Sequence, residues 1–328
     1  MIQKQHRFFN FGTKKRAKRI VVALGGNALS LDGKATAQDQ QLVAEQTASQ
    51  LTKLIEAGYE LAIVHGNGPQ IGNIILHEEA INTDKTPTMP VDTCGAMSQG
   101  QIGYWLQNAF FNNFRQSGIN KPVASLVTQV LVDADDPAFA NPSKPIGPFY
   151  TEEEAKRLSV ERGFTVKEDA GRGWRKVVPS PKPIDIIEAD LVKMALDNQA
   201  VLVAAGGGGI PVYYKDDKLI GLEAVIDKDF AAAKLAEIVN ADILMILTAV
   251  DAVKINYGKE NEQSLSEMTV AEAEKHIADQ QFAPGSMLPK VEASIKFVKT
   301  SVDRQAIITT PERALDALNG ATGTKISA

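Results

Sequence analysis

Three runs of consecutive apolar residues along the chain each end in a cluster of glycines. Uninterrupted apolar runs of this length predict buried strands of a parallel sheet, because both faces of such a strand are covered. The loops that follow parallel strands meet at one edge of the sheet, where glycine loops and the helices after them favour anions. A single glycine turn after a strand usually contacts no ligand, but three of them together predict a site for phosphate or carboxylate. The runs are 20–24, 61–64 and 201–205, and the glycine clusters are 25–26, 66–68 and 206–209.

The remaining apolar pattern predicts an α/β domain with an inserted subdomain. Segments whose apolar residues recur at helical spacing alternate with further short apolar runs, as in β-α-β units. Seven of the fifteen prolines lie between 137 and 183, so we expect a small subdomain at about 133–183 that covers the site as a lid. The predicted helices are 36–57, 92–116, 185–198 and 270–278, with others opening at 151, within 225–230, within 285–290 and at 311. The further predicted strands are 60–64, 123–132, 243–248 and 305–310, with hairpins at 164–178 and 213–220.

Size and charge narrow the class of protein. With 328 residues, 44% of them hydrophobic, the chain can form two small domains or one large α/β domain with an insertion. The net charge of −5 gives no electrostatic reason to bind nucleic acid. One cysteine excludes an internal disulfide, and the four histidines show no metal-ligand spacing. No apolar stretch approaches the roughly 20 residues of a membrane span. We expect a soluble cytoplasmic protein without a metal site of its own.

The first 18 residues form a basic leader without any acidic residue. It lacks the apolar core of a secretory signal. Basic leaders are also typical of organelle targeting, but the absence of serine disfavours that interpretation. We expect a flexible tail over 1–18 and a folded domain over 19–328.

Lysines near the start of predicted helices are the candidates for catalysis. Lys228 and Lys290 each lie in a first helical turn, where a positive charge opposes the helix dipole, and Lys144 lies in the proline-rich segment. A bound phosphate compensates for that charge, and phosphoryl transfer needs little beyond positioning and charge neutralisation. Taken singly, each lysine is more often a solvated surface residue. Cys94 has no recognisable base nearby and is expected to be a small buried residue.

The sequence carries neither a Walker A motif nor the catalytic loop of protein kinases. Segment 66–72 has three glycines, but the third falls one residue late for a dinucleotide fingerprint and Pro69 interrupts the spacing. A dehydrogenase is therefore the least favoured function.

Five segments, taken in order, resemble the carbamate kinase family of the amino-acid kinase superfamily. The resemblance extends from about residue 19 to the end, and 141–147 and 177–181 are similar to that family's protruding subdomain. It implies a three-layer αβα sandwich with a mainly parallel central sheet and a small inserted protruding subdomain. It also implies a homodimer that transfers phosphate reversibly between ATP and carbamate, giving ADP and carbamoyl phosphate, with Mg²⁺. In cells that degrade arginine, the useful direction is ATP synthesis. The segments are 22–28, 65–70, 206–211, 223–229 and 282–292.

The resemblance also implies roles for individual residues. Lys144, Lys228 and Lys290 neutralise the transferred phosphoryl group. Asp229 orients two of them, because an ionised carboxylate only accepts hydrogen bonds; its alternative role is a helix N-cap. Carbamate is already anionic and needs no general base. The substrate-binding residues, expected to act through backbone N–H groups, are Gly25, Gly26, Asn27, Gly66, Asn67, Gly68, Gly207 and Gly208. The nucleotide-binding residues are Lys228, Asp229, Thr248, Ala249, Asp251, Val253, Met287 and Lys290.

Differences from related families bear on the substrate. Acetylglutamate and uridylate kinases generally carry a lysine where this chain has Ala23, and the resemblance implies that Lys144 supplies that cation instead. Ala249 and Lys254 depart from the usual pattern near the expected adenosine pocket. The alternative function is another acyl-phosphate-forming kinase acting on an amino-acid carboxylate, which Ala23 and the lack of an obvious arginine for a larger acid disfavour. A regulatory protein without catalysis is disfavoured because the three lysines and Asp229 are all present.

Overall fold

The computed structural model describes residues 17–25, 36–169 and 171–328, so the predicted tail falls almost entirely outside the described residues. None of the described helices is both long and apolar enough to cross a membrane. The helices are α1 Ala37–Glu56, α2 Gly68–Ala80, α3 Val91–Ser117, α4 Glu152–Arg162, α5 Ala189–Asp197, α6 Lys228–Ile238, α7 Val270–Ala278, α8 Met287–Val298 and α9 Ala314–Leu318. The strands are β1 Arg19–Leu24, β2 Glu60–His65, β3 Val123–Ser125, β4 Gln129–Leu131, β5 Lys144–Tyr150, β6 Val166–Glu168, β7 Trp174–Val178, β8 Asp185–Ile186, β9 Val201–Val203, β10 Ile210–Lys215, β11 Lys218–Gly221, β12 Ile243–Leu247, β13 Val253–Ile255, β14 Gln263–Leu265, β15 Glu267–Thr269, β16 Gln305–Thr309 and β17 Thr324–Ser327.

The predicted mainly parallel sheet is confirmed. Eight strands pair in the order β15-β17-β16-β12-β1-β2-β9-β3. Every neighbouring pair is parallel except β16 and β17. The apolar runs β1, β2 and β9 are therefore adjacent, and the loops after them open at the same edge of the sheet.

Helices cover both faces of this sheet, which gives three layers. Side chains of β1 alternate between two buried clusters, because successive residues of a strand point to opposite faces. Val22 packs in the cluster that contains Leu51 of α1 and Leu106 of α3, whereas Val21 packs in the cluster that contains Ala231 of α6. This double burial explains why the strands read as continuous apolar runs.

The predicted strand 123–132 is wrong, because it divides into two strands of different sheets. β3 forms the edge of the main sheet, whereas β4 belongs to a second sheet of order β11-β10-β4-β8. The buried Gln99 side chain stabilises the break at Thr128, accepting from its backbone N–H at 2.8 Å and donating to its carbonyl at 3.1 Å. A side-chain amide thus satisfies buried backbone groups that a continuous strand would pair.

Two further predictions also fail near this second sheet. The helix predicted from 185 begins at Ala189, because Asp185 and Ile186 pair with β4. The third glycine cluster is followed by β10 rather than by a helix. Its residues form one short 3₁₀ turn, Gly206–Gly208, so this loop offers no helix dipole to an anion.

An inserted lobe, residues 144–178, has a sheet of its own in the order β5-β7-β6. The predicted hairpin is confirmed as the antiparallel pair β6 and β7. Thr151 and Glu154 form a capping box at the start of α4, where the sequence predicts that a helix opens. The lobe contacts α2 through ion pairs of Glu79 with Lys176 at 3.1 Å and with Arg162 at 3.3 Å. Movement of this lobe as a lid stays a prediction.

Arg19, the first residue of β1, is a fully buried arginine at the opposite edge of the sheet from the glycine loops. Its guanidinium donates to Glu60 at 2.9 Å, to Asp197 at 2.7 Å and to the carbonyl of Val239 at 2.7 Å. Its backbone N–H donates to Asp242 at 2.6 Å. Burial of an arginine is tolerated here because each guanidinium nitrogen donates to a partner and two carboxylates balance the charge.

Candidate active site

Three lysine side chains meet at two neighbouring aspartates at the start of α6. Lys228 Nζ lies 2.5 Å from Asp229 Oδ1, and Lys290 Nζ lies 3.1 Å from Asp229 Oδ2. Lys144 Nζ, from the first residue of β5, lies 2.5 Å from Asp227 Oδ2. Residues from α6, α8 and the inserted lobe therefore form one charged cluster.

The local structure of α6 explains how this cluster is held. Asp227 is the N-cap residue, and its Oδ1 accepts the backbone N–H of Asp229 at 2.9 Å. The alternative role of Asp229 as the N-cap is therefore wrong; Asp229 is the second residue of α6, within its first turn, with its side chain 3% exposed. The alternative of solvated lysines is also wrong, since the side chains of Lys228 and Lys290 are 11% and 14% exposed.

Burial and ion pairing act against each other on the pKa values of the cluster. Burial holds the pKa of Lys228 below its ordinary value, although Asp229 opposes this shift. Burial also acts downwards on Lys290, but attraction to Asp229 prevails and raises its pKa. For Asp229, burial acts upwards, and the two lysines outweigh it and lower its pKa. Pairing with carboxylates thus offsets the effect of burial on the cluster, in which three lysines face two aspartates.

The second and third glycine loops meet beside the cluster. A Cβ on Gly207, whose φ is +67°, would lie 2.2 Å from Asn67 Nδ2. Asn67 is buried, and its Nδ2 donates to Ser98 Oγ of α3 at 2.8 Å. A Cβ on Gly206 would lie 2.2 Å from His65 Nε2. The glycines at these two positions therefore allow the two loops to pack against each other.

Several backbone N–H groups that were predicted to bind an anion already donate to backbone carbonyls, so the prediction is wrong for these groups. The N–H of Gly25 donates to the carbonyl of Leu247 at 2.9 Å, and that of Gly66 donates to Leu24 at 3.0 Å. The N–H of Gly208 donates to the carbonyl of Ala205 at 3.0 Å. These amides complete the ladder or the turn and cannot also bind a substrate.

Gly66 contributes by lacking a side chain. A Cβ there would lie 3.2 Å from Cδ of Lys228, so the glycine leaves room for the lysine stem. Asn67 and Gly68 open α2, where the first backbone N–H groups lack intrahelical partners. Gly26 and Asn27 lie outside the described residues.

His65, the last residue of β2, is neutral. Its Nδ1 lies 2.9 Å from the carbonyl of Gly66, and because a carbonyl only accepts, Nδ1 carries the proton. Burial lowers the pKa of this imidazole to about 4, although the bond to Gly66 opposes the shift. Its buried Nε2 has no partner among the described residues. The side chain thus fixes the loop after β2.

Comparison with known proteins identifies the family. Residues 18–310 match the model of the amino acid kinase family. The chain is 56% identical over 304 residues to carbamate kinase 1 of Enterococcus faecium, covering 92% of this chain and 96% of that protein. The chain belongs to the carbamate kinase family. A solved carbamate kinase from Giardia lamblia bound to citric acid matches with a TM-score of 0.89 and 43% identity, over 95% of this chain and 98% of that one. The same kinase bound to AMP-PNP, an ATP analogue, matches at 0.86 and 44% over the same shares.

The residues predicted to bind nucleotide in this carbamate kinase family member lie at two neighbouring element ends. Thr248 and Ala249 follow β12, and Met287 opens α8 one turn before Lys290. Asp251 is exposed and accepts from the Thr310 hydroxyl at 3.4 Å. Val253 is fully buried in the core, so its side chain cannot contact a nucleotide. Nucleotide contacts of the other seven predicted residues stay predictions.

Two charged residues of this carbamate kinase site, Asp227 and Arg175, were not predicted from the sequence. Asp227 pairs with Lys144 and caps α6. Its role as a cap could have been predicted, because it directly precedes the helix and aspartate is a preferred N-cap residue. Arg175 of β7 lies over the start of α2. It carries no local sequence signal, because the fold alone brings the lobe to α2. Cys94, by contrast, is buried as expected, and burial raises the pKa of its thiol to about 11.

Proposed function

We propose that this enzyme transfers the γ-phosphoryl group of ATP to carbamate, giving ADP and carbamoyl phosphate, and that the same site makes ATP in reverse. The observation that carries this proposal is the meeting of Lys144, Lys228 and Lys290 on the half-buried Asp227 and the buried Asp229, beside the glycine loops. Membership of the carbamate kinase family supports carbamate as the acceptor, in preference to an amino-acid carboxylate.

The lysine cluster suits the charge that develops during phosphoryl transfer. Negative charge on the transferred group and the bridging oxygen is stabilised by donors already in place before reaction. Asp229 binds Lys228 and Lys290 with separate oxygens, and this holds both ammonium groups beside one position. Lys144 is held by Asp227 and exchanges that carboxylate for the phosphoryl group when substrates bind.

The acceptor needs little chemical activation. Carbamate attacks through an anionic oxygen, so no general base has to remove a proton. His65 is unsuited to that role because its Nδ1 proton is donated to Gly66 and its ring is buried. The site therefore acts by orientation and charge neutralisation, which the opening of α2 at Asn67 and Gly68 supports on the acceptor side.

The Mg²⁺ that the family implies fits a metal carried by the nucleotide. Mg²⁺ prefers phosphate oxygens and water with one or two carboxylates. In the described ranges, no group of three or more His, Cys, Asp and Glu residues could hold a metal ion. Asp227 and Asp229 are the carboxylates at the site, and both already accept from lysines. We propose that Mg²⁺ binds on the ATP or ADP phosphates and neutralises their charge.

Three wider features of the function are also proposals. The enzyme acts as a homodimer, in the cytoplasm, and in the direction of ATP synthesis during arginine degradation. The family supports these expectations. Light scattering of the purified protein tests the dimer, and growth on arginine of a strain without the enzyme tests the direction.

The decisive experiment supplies ADP, Mg²⁺ and carbamoyl phosphate and follows ATP formation. Lys144→Ala and Lys228→Ala are each expected to lower kcat by at least about 100-fold, since each removes a donor to developing charge. Lys299→Ala is the control, because that lysine is 53% exposed and pairs with Glu274 on the surface. Near-normal rates in both site variants would refute the assigned roles. Turnover with acetylglutamate or uridylate instead of carbamate would refute the substrate.

A further inference from the structure

Arg175 of the inserted lobe lies directly over the first residue of α2. Its Nη2 lies 3.9 Å from the point where a Cβ of Gly68 would be, and the carbonyl oxygen of Pro145 lies at the same distance. The neighbouring residue in β5 is Lys144, which reaches the lysine cluster. The lobe therefore brings two cations to the site, one to the phosphoryl side and one to the glycine loop after β2.

An irregularity in β5 fixes the position of Arg175. The pairing of β5 with β7 shifts between Ile146 and Tyr150, and the carbonyl of Gly147 accepts from Arg175 instead. Nε donates to it at 3.0 Å and Nη2 at 2.8 Å. Gly147 also contacts Gly72 of α2, where a Cβ would lie 1.9 Å from the Gly147 Cα. Two glycines thus let the lobe approach α2 closely enough to place the guanidinium at its first turn.

Among the described residues, Arg175 shares its carboxylate partner with a second arginine. Asp169 pairs with Arg175 at 3.2 Å and with Arg172 at 2.9 Å, so one carboxylate serves two arginines. The nearby start of α2 carries the positive end of a helix dipole, which repels a cation. Burial lowers the pKa of Arg175, whose side chain is 13% exposed. A buried cation in this position is stabilised by an anion bound between it and the helix.

The donor pattern matches a planar anion. The described contacts use three of the five N–H groups of the guanidinium, one each on Nε, Nη1 and Nη2. The remaining donors lie on the two terminal nitrogens, in the fork that pairs with carboxylates.

We propose that Arg175 binds the carboxylate of carbamate, and the corresponding carbonyl oxygen of carbamoyl phosphate, against the start of α2. This inference rests on the proposed function. Arg175 is thereby a substrate-binding residue, and it holds the lobe over an occupied site. The nucleotide is not expected to depend on it, because the predicted nucleotide residues lie at β12 and α8.

The test compares Arg175→Gln with Arg172→Gln in ATP formation from ADP and carbamoyl phosphate. Arg172 is a matched control, since it shares Asp169 and lies 5.1 Å from the Phe149 ring, as Arg175 does, but is 62% exposed. We expect Arg175→Gln to raise the KM for carbamoyl phosphate by about 10- to 100-fold, the value of a charged hydrogen bond. The KM for ADP is expected to stay within twofold, and Arg172→Gln to resemble the wild type.

Further variants separate binding from support of the lobe. Arg175→Lys keeps the charge, and we expect a KM between those of the wild type and Arg175→Gln. Added guanidinium is expected to lower the KM of Arg175→Ala. If Arg175→Gln, or Arg175→Lys where the glutamine variant does not fold, changes kcat alone or raises both KM values equally, the inference is wrong. Wild-type protein that makes no ATP from these substrates would instead refute the proposed function.

Discussion

Alanine at Gly72 tests whether contact between the lobe and α2 positions Lys144. Propensity alone favours the change, because alanine stabilises a helix interior by about 1 kcal/mol relative to glycine. The contact acts the other way: the new Cβ would lie 1.9 Å from the Gly147 Cα and 2.1 Å from its nitrogen. Ordinary contact begins at 3.4 Å, so the lobe must retreat by roughly 1.5 Å.

Lys144 lies three residues before Gly147 in the same strand and is expected to move with it. A misplacement of about 1 Å can cost a factor of the order of 100 in rate. We therefore expect kcat for ATP formation to fall about 100-fold in Gly72→Ala, while the melting temperature changes little because the helix gains what the contact loses.

Gly100→Ala is the matched control. Gly100 is an exposed position within α3, and a Cβ there meets nothing within 4 Å. This variant is expected to keep the wild-type rate and to be slightly more stable. Steady-state ATP formation and thermal unfolding measure both variants. A kcat of Gly72→Ala within about threefold of Gly100→Ala would refute the reasoning, since Lys144 would then be positioned independently of this contact.

Three other predictions concern stability. The pKa of His65 is about 4 in the folded protein against 6.5 unfolded, so the unfolded state alone takes up its proton as pH falls below 6.5. Between pH 6.5 and 4, the unfolding free energy of the wild type should fall by about 3 kcal/mol more than that of His65→Asn. An equal pH dependence of the two proteins in urea unfolding would contradict this. Asp229→Asn removes the carboxylate that pairs with two buried ammonium groups, and a loss of about 3–5 kcal/mol in unfolding free energy is expected, with turnover abolished; an unchanged urea midpoint would argue against the pairing. Arg19→Met is expected to cost a similar amount with an unchanged kcat in the surviving folded fraction, and a specific loss of kcat would show that Arg19 acts on the site.

The main sheet could be predicted because its strands are buried on both faces. Continuous apolar runs such as β1 and β12 can be recognised as strands from their own residues, without knowing which strands they pair with. The break between β3 and β4 depends on the side chain of Gln99, which lies 29 residues before Thr128. A contact so distant in sequence leaves no local pattern, and the apolar residues on either side read as one strand.

The site was predictable where local chemistry conflicts with local structure. Lys228 and Lys290 oppose helix dipoles, and both lie in the charged cluster. The hydrogen bond of the Gly66 N–H could not be predicted from the sequence, because its acceptor is the carbonyl of Leu24 in another strand. Arg175 was missed for the same reason: its importance depends on the close approach of Gly72 and Gly147, which are far apart in the chain.

Arg19 has a consequence for protein engineering. It fixes where the polypeptide enters the sheet, and β1 then runs six residues to the glycine loop. At about 3.3 Å per residue, the entry point lies roughly 20 Å from the catalytic edge. An affinity tag or fluorescent fusion joined directly before this arginine is therefore expected to lie on the far side of the molecule from the substrates and to leave turnover intact.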